Sequence, residues 1–232
     1  MPLHIGIVGC SSEGAALCYR TVCAEGAQLL GVPYAHPQVS MHTHSLADYL
    51  ALLERGDWRG VGELMLSSAG NLAAAGADFV ICPDNTIHQA LPHVLPRSPL
   101  PWLHIATVVA SAAARRGFRR IALLGTRWLV ESEVYPEALV AEGLQSVRPR
   151  ESERREINRI IMDELVHGVL RAEAEAAFRA VTGRMRDEEQ CDAVVLGCTE
   201  IPLILSDANS PLPTLDSTRL LARAALRRAT ER

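Results

Sequence analysis

Two short segments of this chain place a proton-carrying side chain inside a polar turn. The first is ICPDNTIH (81–88), which contains Asp84, and the second is LGCTEI (196–201), which contains Cys198. A carboxyl and a thiol ordinarily have pKa values of about 3.9 and about 8.5, so they form an unequal pair of acid/base groups. Inversion of a Cα–H centre needs two such groups on opposite faces, because one removes the proton and the other returns one. An Asp and a Cys on opposite faces of one carbon could carry out such an inversion.

Polar residues that could hold the carboxylate of a small acid stand at the same kind of strand end. Hydroxyl and amide side chains donate hydrogen bonds, and a helix that starts there adds backbone N–H groups and the positive end of its dipole. Such a site binds carboxylates without a cofactor. The candidate substrate-binding residues are Ser11, Asn85, Thr86, Thr126 and Thr199.

Several residues in these turns also have simpler interpretations. Asp84 could be the N-cap of a following helix, because Asp is among the usual helix starters. Cys82 is interpreted as a buried strand residue, with the alternative that it is the reacting thiol, and Cys10 is interpreted as a packing residue. Glu200 could either cap a helix or relay a proton near Cys198.

The composition excludes several function classes. The formal net charge of −4 leaves no basic surface for nucleic acid, and no apolar run reaches the ~20 residues that span a bilayer. The segment MPLHIGIVGC lacks a signal-peptide pattern, so a cytoplasmic location is expected. The clustered histidines His36, His42 and His44 have no acidic or cysteine partners at useful spacing. They predict a solvated loop, and no metal site is predicted.

The chain has no lysine, since all 23 of its basic residues are arginines. A Schiff base through a lysine, with pyridoxal phosphate or a carbonyl substrate, is therefore excluded, and so is a P-loop. The turn GIVGCSSEG (6–14) misses the GxGxxG spacing, which disfavours a dinucleotide site. No cofactor is predicted.

Short apolar runs alternate with longer helix-period segments along the whole chain. Continuous apolar runs are typical of parallel strands that helices cover on both faces, so the order predicts an α/β fold with mostly parallel sheets. Strands are predicted at 4–9, 77–82, 102–106, 119–125 and 192–197, and more weakly at 29–34 and 213–215. Helices are predicted within 45–77, 107–117, 156–185 and 217–230.

The chain also repeats itself. HIGIVGCSSEG pairs with RRIALLGTRWLVES, and ADFVICPDNT pairs with CDAVVLGCTE, which puts Asp84 and Cys198 114 residues apart (198 − 84). The repeat predicts two pseudo-symmetric lobes with the active site in the cleft between them. The first lobe is expected to comprise 1–97 plus 210–232 and the second 98–209, with the proline-rich segment 91–101 as the hinge. The final helix is expected to pack on the first lobe.

At these residues the sequence resembles the aspartate/glutamate racemase superfamily, and most closely its broad-specificity amino-acid (aspartate) racemase branch. GCTEI (197–201) matches the second catalytic-cysteine motif of that family, and DNTIH (84–88) matches the first, usually written CNTxH. Three further segments resemble this branch: HSLADYLALLERGDW (44–58), IALLGTRWLVESEVY (121–135) and EINRIIMDELVHGV (156–169). The resemblance runs from about residue 4 to residue 228.

The resemblance implies a cofactor-independent isomerase, an amino-acid racemase or epimerase that transfers protons between two bases at Cα. The substrate would be a small, acidic amino acid, and the enzyme would be a homodimer. Carried over to this sequence, Asp84 and Cys198 would be catalytic. Glu200 and His88 would support them, and Ser45 would help to close over the substrate.

The departure from the family pattern is Asp84, because two-cysteine members carry a thiol at that position. Two alternatives therefore stay open. One is a superfamily decarboxylase or cis-trans isomerase that uses Cys198 alone. The other is a catalytically inactive paralogue that binds an amino acid.

Overall fold

The computed structural model describes residues 2–231 and divides into two compact units. One consists of Met1–Val108 with Thr218–Arg232, and the other of Val109–Ser217. Each contains a four-stranded sheet whose described pairings are all parallel. The predicted α/β fold with two lobes of mostly parallel sheet is therefore confirmed.

The first unit has the strand order β2-β1-β3-β4. Its strands β1 and β3 are apolar and completely buried, as expected for strands with helices on both faces. Its elements are β1 (Ile5–Gly9), α1 (Ser12–Leu30), β2 (Val39–Thr43), α2 (Leu46–Leu53), α3 (Trp58–Ala74), β3 (Phe79–Ile81), α4 (Leu91–Val94), β4 (Trp102–Leu103) and the start of α5 (Ile105–Arg115).

The second unit repeats this arrangement with the order β6-β5-β7-β8. Its elements are β5 (Arg120–Leu124), α6 (Arg127–Val130), α7 (Val134–Ala141), β6 (Gln145–Val147), α8 (Glu151–Asp163), α9 (Ala172–Asp187), β7 (Ala193–Leu196) and β8 (Thr214–Asp216), followed by α10 (Ser217–Thr230). Buried apolar residues of α8 and α9 pack against β5 and β7 to form its core.

One detail of the repeat is visible in hydrogen bonds. Asp78, just before β3, accepts the backbone N–H of His4 at 2.6 Å. Asp192, just before β7, accepts the N–H groups of Arg119 and Arg120 at 2.8 and 3.1 Å. In the first unit an acidic residue thus joins the start of β3 to the start of β1. In the second unit an acidic residue joins the start of β7 to the start of β5 in the same way.

Helix α10 returns to the first unit. Its apolar residues share a core cluster with β1, β3 and α1, the N–H of Leu3 donates to the Ala229 carbonyl at 2.8 Å, and Arg223 pairs with Glu25 at 2.8 Å. The first unit also extends past the proline-rich segment 91–101 and reaches Val108. Leu91 and Val94 of that segment are buried.

Several element predictions differ from the structure. The weak strand predicted at 29–34 is wrong, because α1 runs to Leu30 and ends at Gly31 in the left-handed conformation (φ 67°). The edge strand β2 forms instead within the segment predicted to be a solvated histidine loop. Its alternating, half-exposed side chains carry no apolar run, and the same holds for the edge strand β6.

The long helical segments are interrupted. The predicted helix within 45–77 is two helices, because Gly56 takes a left-handed conformation (φ 66°) and Asp57 starts α3 by accepting the Gly60 N–H at 2.8 Å. Likewise 156–185 is divided between α8 and α9, and only the first two residues of the strand predicted at 102–106 are extended. None of the described helices combines the length and hydropathy needed to cross a bilayer.

Candidate active site

Asp84 lies in the turn after β3 and binds the loop after β1. Its Oδ2 accepts the N–H of Cys10 and its Oδ1 accepts the N–H of Ser11, both at 3.1 Å. Because β1 and β3 are parallel neighbours, their carboxyl ends meet at one edge of the sheet, which brings these distant residues together. The carboxylate of Asp84 therefore joins the turn after β3 to the loop after β1. Its plane is fixed by two backbone donors at the start of α1.

Cys82 is a structural residue of the strand end. Its side chain is completely buried, and its thiol points to the Asp84 carbonyl at 3.8 Å. Burial, with a further contribution from the negative charge of Asp84, raises the pKa of Cys82 well above its ordinary value. The thiol is thus held in its unreactive protonated form. The structure favours the strand interpretation of Cys82 over the reacting-thiol alternative.

His88 binds the backbone carbonyl of Cys82, at the start of the same turn. Its Nε2 lies 3.0 Å from the Cys82 carbonyl, and its ring meets that of His104 edge-on with 4.7 Å between centres. Burial above all, and then His104, lowers the pKa of His88 to about 3, so the ring is neutral and its proton lies on the Nε2 that faces the carbonyl. His88 is therefore a positioning residue for the turn that carries Asp84.

The other candidates of the first unit lie close to this turn or begin a helix. The Ser11 hydroxyl caps α1 by accepting the Gly14 N–H at 3.2 Å, while the Ser11 backbone holds Asp84. Asn85 is buried and Thr86 is half-buried, at the start of a short 3-10 turn. Ser45 is exposed, and its hydroxyl caps α2 by accepting the Ala47 N–H at 3.3 Å.

In the second unit, Cys198 follows β7 and is bound by Glu200. The thiol donates to Oε2 of Glu200 at 2.9 Å, and the Thr199 hydroxyl donates to the same oxygen at 2.8 Å. Glu200 is buried and makes no side-chain cap on the 3-10 turn that follows. Its carboxylate thus acts on the half-buried thiol, and the capping alternative is not observed.

Close backbone packing explains the glycine before each turn of this unit. A Cβ on Gly197 would lie 2.7 Å from the Leu124 carbonyl oxygen, and a Cβ on Gly125 would lie 3.3 Å from the Gly197 carbonyl oxygen. Side chains at these positions would push the strand ends apart and displace Cys198.

Thr126 begins α6 as a buried N-cap residue. The next N–H, that of Arg127, donates to Oδ1 of Asn158 in α8 at 2.9 Å. Asn158 was not among the candidates from sequence, although it lies inside a segment that resembles the family. The available signal was a polar residue between the apolar positions Ile157 and Ile160 of α8. Asn158 anchors the loop that carries Thr126.

Comparisons with known proteins identify the family of this chain. The model of the family Asp/Glu/Hydantoin racemase matches residues 7–225. The broad specificity amino-acid racemase RacX of Bacillus subtilis (strain 168) is 22% identical over 164 residues, which is 70% of this chain and 69% of that protein.

Two solved structures are similar over their full length. A candidate Asp/Glu racemase from Yersinia pestis is 28% identical with a TM-score of 0.89, covering 99% of this chain and 100% of that one. An aspartate racemase homologue from Pyrococcus horikoshii OT3 is 28% identical with a TM-score of 0.82, covering 98% and 99%. Asp/Glu racemases are isomerases, so the predicted enzyme class is confirmed. With a family model that spans nearly its whole length, this chain belongs to the Asp/Glu/hydantoin racemase family.

Proposed function

We propose that this chain is a cofactor-independent amino-acid racemase whose two proton-transfer groups at Cα are Asp84 and Cys198. One observation carries the proposal. The two repeats place a carboxyl and a thiol at corresponding strand ends, 114 residues apart, and each is held by a specific hydrogen-bond partner. Membership in a racemase family supports the reaction class.

In the proposed reaction the Asp84 carboxylate removes the Cα proton of one enantiomer. The electron pair left on Cα is stabilised through the substrate carboxylate, and the Cys198 thiol returns a proton to the other face. The enzyme then carries a protonated Asp84 and a Cys198 thiolate, which is the starting state for the opposite enantiomer. The observed thiol donating to Glu200 corresponds to the first of these two states.

The difference between the Asp84 carboxyl and the Cys198 thiol affects the rates of racemisation but cannot change the equilibrium between the two enantiomers. Two enantiomers have equal free energies in water, so the equilibrium constant between them is unity whatever groups the enzyme uses. The value of kcat/KM must then be the same in both directions, while kcat and KM can each differ. We expect the replacement of a thiol by Asp84 to appear as that asymmetry in kcat and KM.

An acidic substrate is the proposed preference. Among the described residues the Arg127 guanidinium has no acidic partner, and it lies over the Trp128 ring with 4.7 Å to the ring centre. It follows directly after the buried Thr126. A second carboxylate on the substrate would give this cation a partner, as guanidinium groups bind carboxylates through paired donors.

Deuterium exchange tests the activity. The enzyme is incubated in D2O with L- and D-forms of acidic and neutral amino acids, and loss of the α-proton is followed by NMR beside chiral chromatography. Racemisation with deuterium entry is expected, fastest for aspartate or glutamate, and Arg127→Gln should reduce kcat/KM for these more than for asparagine or glutamine. Binding without exchange of any α-proton would replace the proposal by an amino-acid-binding role.

Single variants assign each face. Cys198→Ala should stop racemisation but still exchange the α-proton of the one enantiomer that Asp84 deprotonates, with retention of configuration. Asp84→Asn should do the same for the other enantiomer, because Cys198 then acts alone. Each should lower racemisation by about 100-fold or more. The matched control is Cys82→Ala, which should racemise normally; if it were inactive while Asp84→Asn stayed active, Cys82 would be the proton carrier.

The remaining proposals concern the oligomeric state and the cellular location of the enzyme. A homodimer is proposed from the resemblance to its family, and sedimentation velocity of the full chain measures its state directly. A cytoplasmic location is proposed as well, and fractionation of cells expressing the chain tests it.

A further inference from the structure

Strand β2 lies at the edge of the first unit's sheet and pairs with β1 on one side. The N–H of Ile5 in β1 donates to the Gln38 carbonyl at 2.9 Å, and Ile5 lies opposite Val39 in the register. The backbone groups of a strand point alternately to its two sides, so every second residue of β2 turns both its N–H and its C=O outward. These outward residues are Val39, Met41 and Thr43. Within residues 2–231 their outward backbone groups have no hydrogen-bond partner.

Two of the other edge strands are too short to offer such a row. In β4, whose Pro101 carbonyl accepts the N–H of Val80 in β3, only Trp102 faces outward. In β6, where the N–H of Gln145 donates into β5, only Ser146 faces outward. Short edge strands are a common protection against pairing with another chain, and β2 lacks this protection.

The remaining edge strand, β8, is covered by side chains. Thr214 is an outward residue of β8, because the N–H of Val194 opposite it donates to the preceding carbonyl. The Thr214 N–H donates to Oδ1 of Asp207 at 2.7 Å, and the Arg116 guanidinium donates to the Thr214 carbonyl at 3.1 Å. Side chains thus occupy the outward backbone groups of Thr214, whereas those of β2 stay open.

The segment around β2 also lacks charges that would keep another strand away. Residues 26–47 contain no Asp, Glu, Lys or Arg, although these types make up 22% of the chain. The Met41 side chain is 49% exposed, and Leu29, Val32 and Tyr34 of the same segment are exposed as well. Charged side chains are a usual means of protecting a sheet edge. The β2 edge is therefore open to strand pairing.

A second copy of this chain fits this edge. Antiparallel pairing about a two-fold axis at Met41 sets Met41 opposite its own copy and Val39 opposite Thr43. These are the outward residues, so each of their outward N–H and C=O groups gains a partner across the axis. A two-fold axis brings each residue close to its own copy, so a charged edge would repel itself and this uncharged edge does not. Recognition of a different protein through complementary charges finds no charged group in residues 26–47.

We propose that β2 forms the interface of a two-fold dimer, in which the β2 strands of two copies pair antiparallel about Met41. The four-stranded sheets of the two first units then join into one continuous sheet. This inference goes beyond the homodimer proposed from the family resemblance, because it assigns the surface and the register. It involves neither Asp84 nor Cys198 and is independent of the racemase reaction.

The variant Met41→Lys tests the surface. It sets two positive charges opposite each other across the axis, while the backbone of residue 41 takes no part in the hydrogen bonds to β1. The variant should therefore fold, as circular dichroism can check, and its dimer dissociation constant from sedimentation equilibrium should rise about tenfold or more. Val140→Lys, at a valine of α7 that is 69% exposed, is the matched control and should leave the constant unchanged.

The variant Met41→Cys tests the register. Directly opposed residues of this kind have Cα atoms about 5.5 Å apart, which lies within the range that a disulfide spans. Mild oxidation should therefore link two copies through position 41. The chain has six cysteines of its own, so mass spectrometry of the linked peptides identifies the bond. Val140→Cys should give no such link.

The outcomes separate the proposals from one another. A dimer that is unaffected by Met41→Lys and gives no cross-link in Met41→Cys would overturn the role of β2 and leave the homodimer itself in place. A wild-type chain that sediments as a monomer would overturn both. Neither measurement depends on turnover, so an inactive chain that dimerises through β2 would contradict the proposed racemase activity alone.

Discussion

Oε2 of Glu200 accepts two hydrogen bonds, one from the Cys198 thiol and one from the Thr199 hydroxyl. Both partners are donors, so the Glu200 side chain must act as the acceptor. A carboxylate this close favours the thiol over the thiolate through its negative charge. Glu200 therefore favours the protonated Cys198, which is the state that the proposed reaction needs beside an ionised Asp84.

The variant Glu200→Gln tests this role of the charge. It keeps the size of the side chain but removes the negative charge, so Cys198 should ionise more readily and be alkylated by iodoacetamide about tenfold faster near neutral pH. Mass spectrometry of the peptide that contains Cys198 separates it from the other thiols. Glu173→Gln on α9 is the exposed control. An unchanged rate at Cys198 in Glu200→Gln would show that the charge of Glu200 does not act on the thiol.

His88 makes the stability of the fold depend on pH. Its pKa falls from 6.5 to about 3 on folding, so between these values the unfolded chain binds a proton that the folded chain does not. Its contribution is complete above about pH 6.5 and is lost as the pH falls toward about 3. Between about pH 7 and about pH 5 the loss of unfolding free energy should be about 2 kcal/mol.

Urea unfolding at the two pH values measures this loss. His88→Gln keeps a donor for the Cys82 carbonyl but does not titrate, so its unfolding free energy should change less between them by about that amount. His93→Gln changes an exposed histidine and should keep the full wild-type dependence. The same dependence in His88→Gln as in the wild type would contradict the neutral buried ring.

At the scale of elements, α6 is held at its first turn by α8. Asn158→Ala removes the acceptor for the Arg127 N–H, so the loop carrying Thr126 should loosen, with KM rising severalfold and unfolding free energy falling by about 1 kcal/mol. Asn158→Asp retains an oxygen acceptor and should recover most of the affinity. If both variants raised KM equally, the hydrogen bond would not be what positions this loop.

The elements also show how far sequence patterns reach. The central strands β1, β3, β5 and β7 were predicted because burial on both faces requires a continuous apolar run. The edge strands β2 and β6 were missed because one side of each remains polar. The hydrogen bond between the Cys10 N–H and Asp84 was also missed, because it joins residues 74 apart and no local sequence pattern predicts it.

For the candidate site, too, local motifs could be recognised in the sequence and long-range contacts could not. Asp84 and Cys198 are candidates because each lies in a short motif that can be recognised within a few residues.

At the scale of the whole molecule, the chain combines 23 arginines with no lysine. No side-chain amine is available to form an imine with pyridoxal phosphate or with a keto acid. The purified enzyme should therefore keep its full activity after dialysis against hydroxylamine. Borohydride added with substrate should leave every side chain unmodified by mass spectrometry, and loss of activity in hydroxylamine would contradict the proposed cofactor independence.

The two repeated four-stranded sheets have a consequence for how the protein can evolve. Because both copies lie in one polypeptide, a mutation in the first copy leaves the second as it was. An assembly of two identical subunits would receive every mutation twice, and its two proton carriers would have to stay the same. The repeat within one polypeptide therefore allows a carboxyl at position 84 to coexist with a thiol at position 198, and a mutation of either residue leaves the other unchanged.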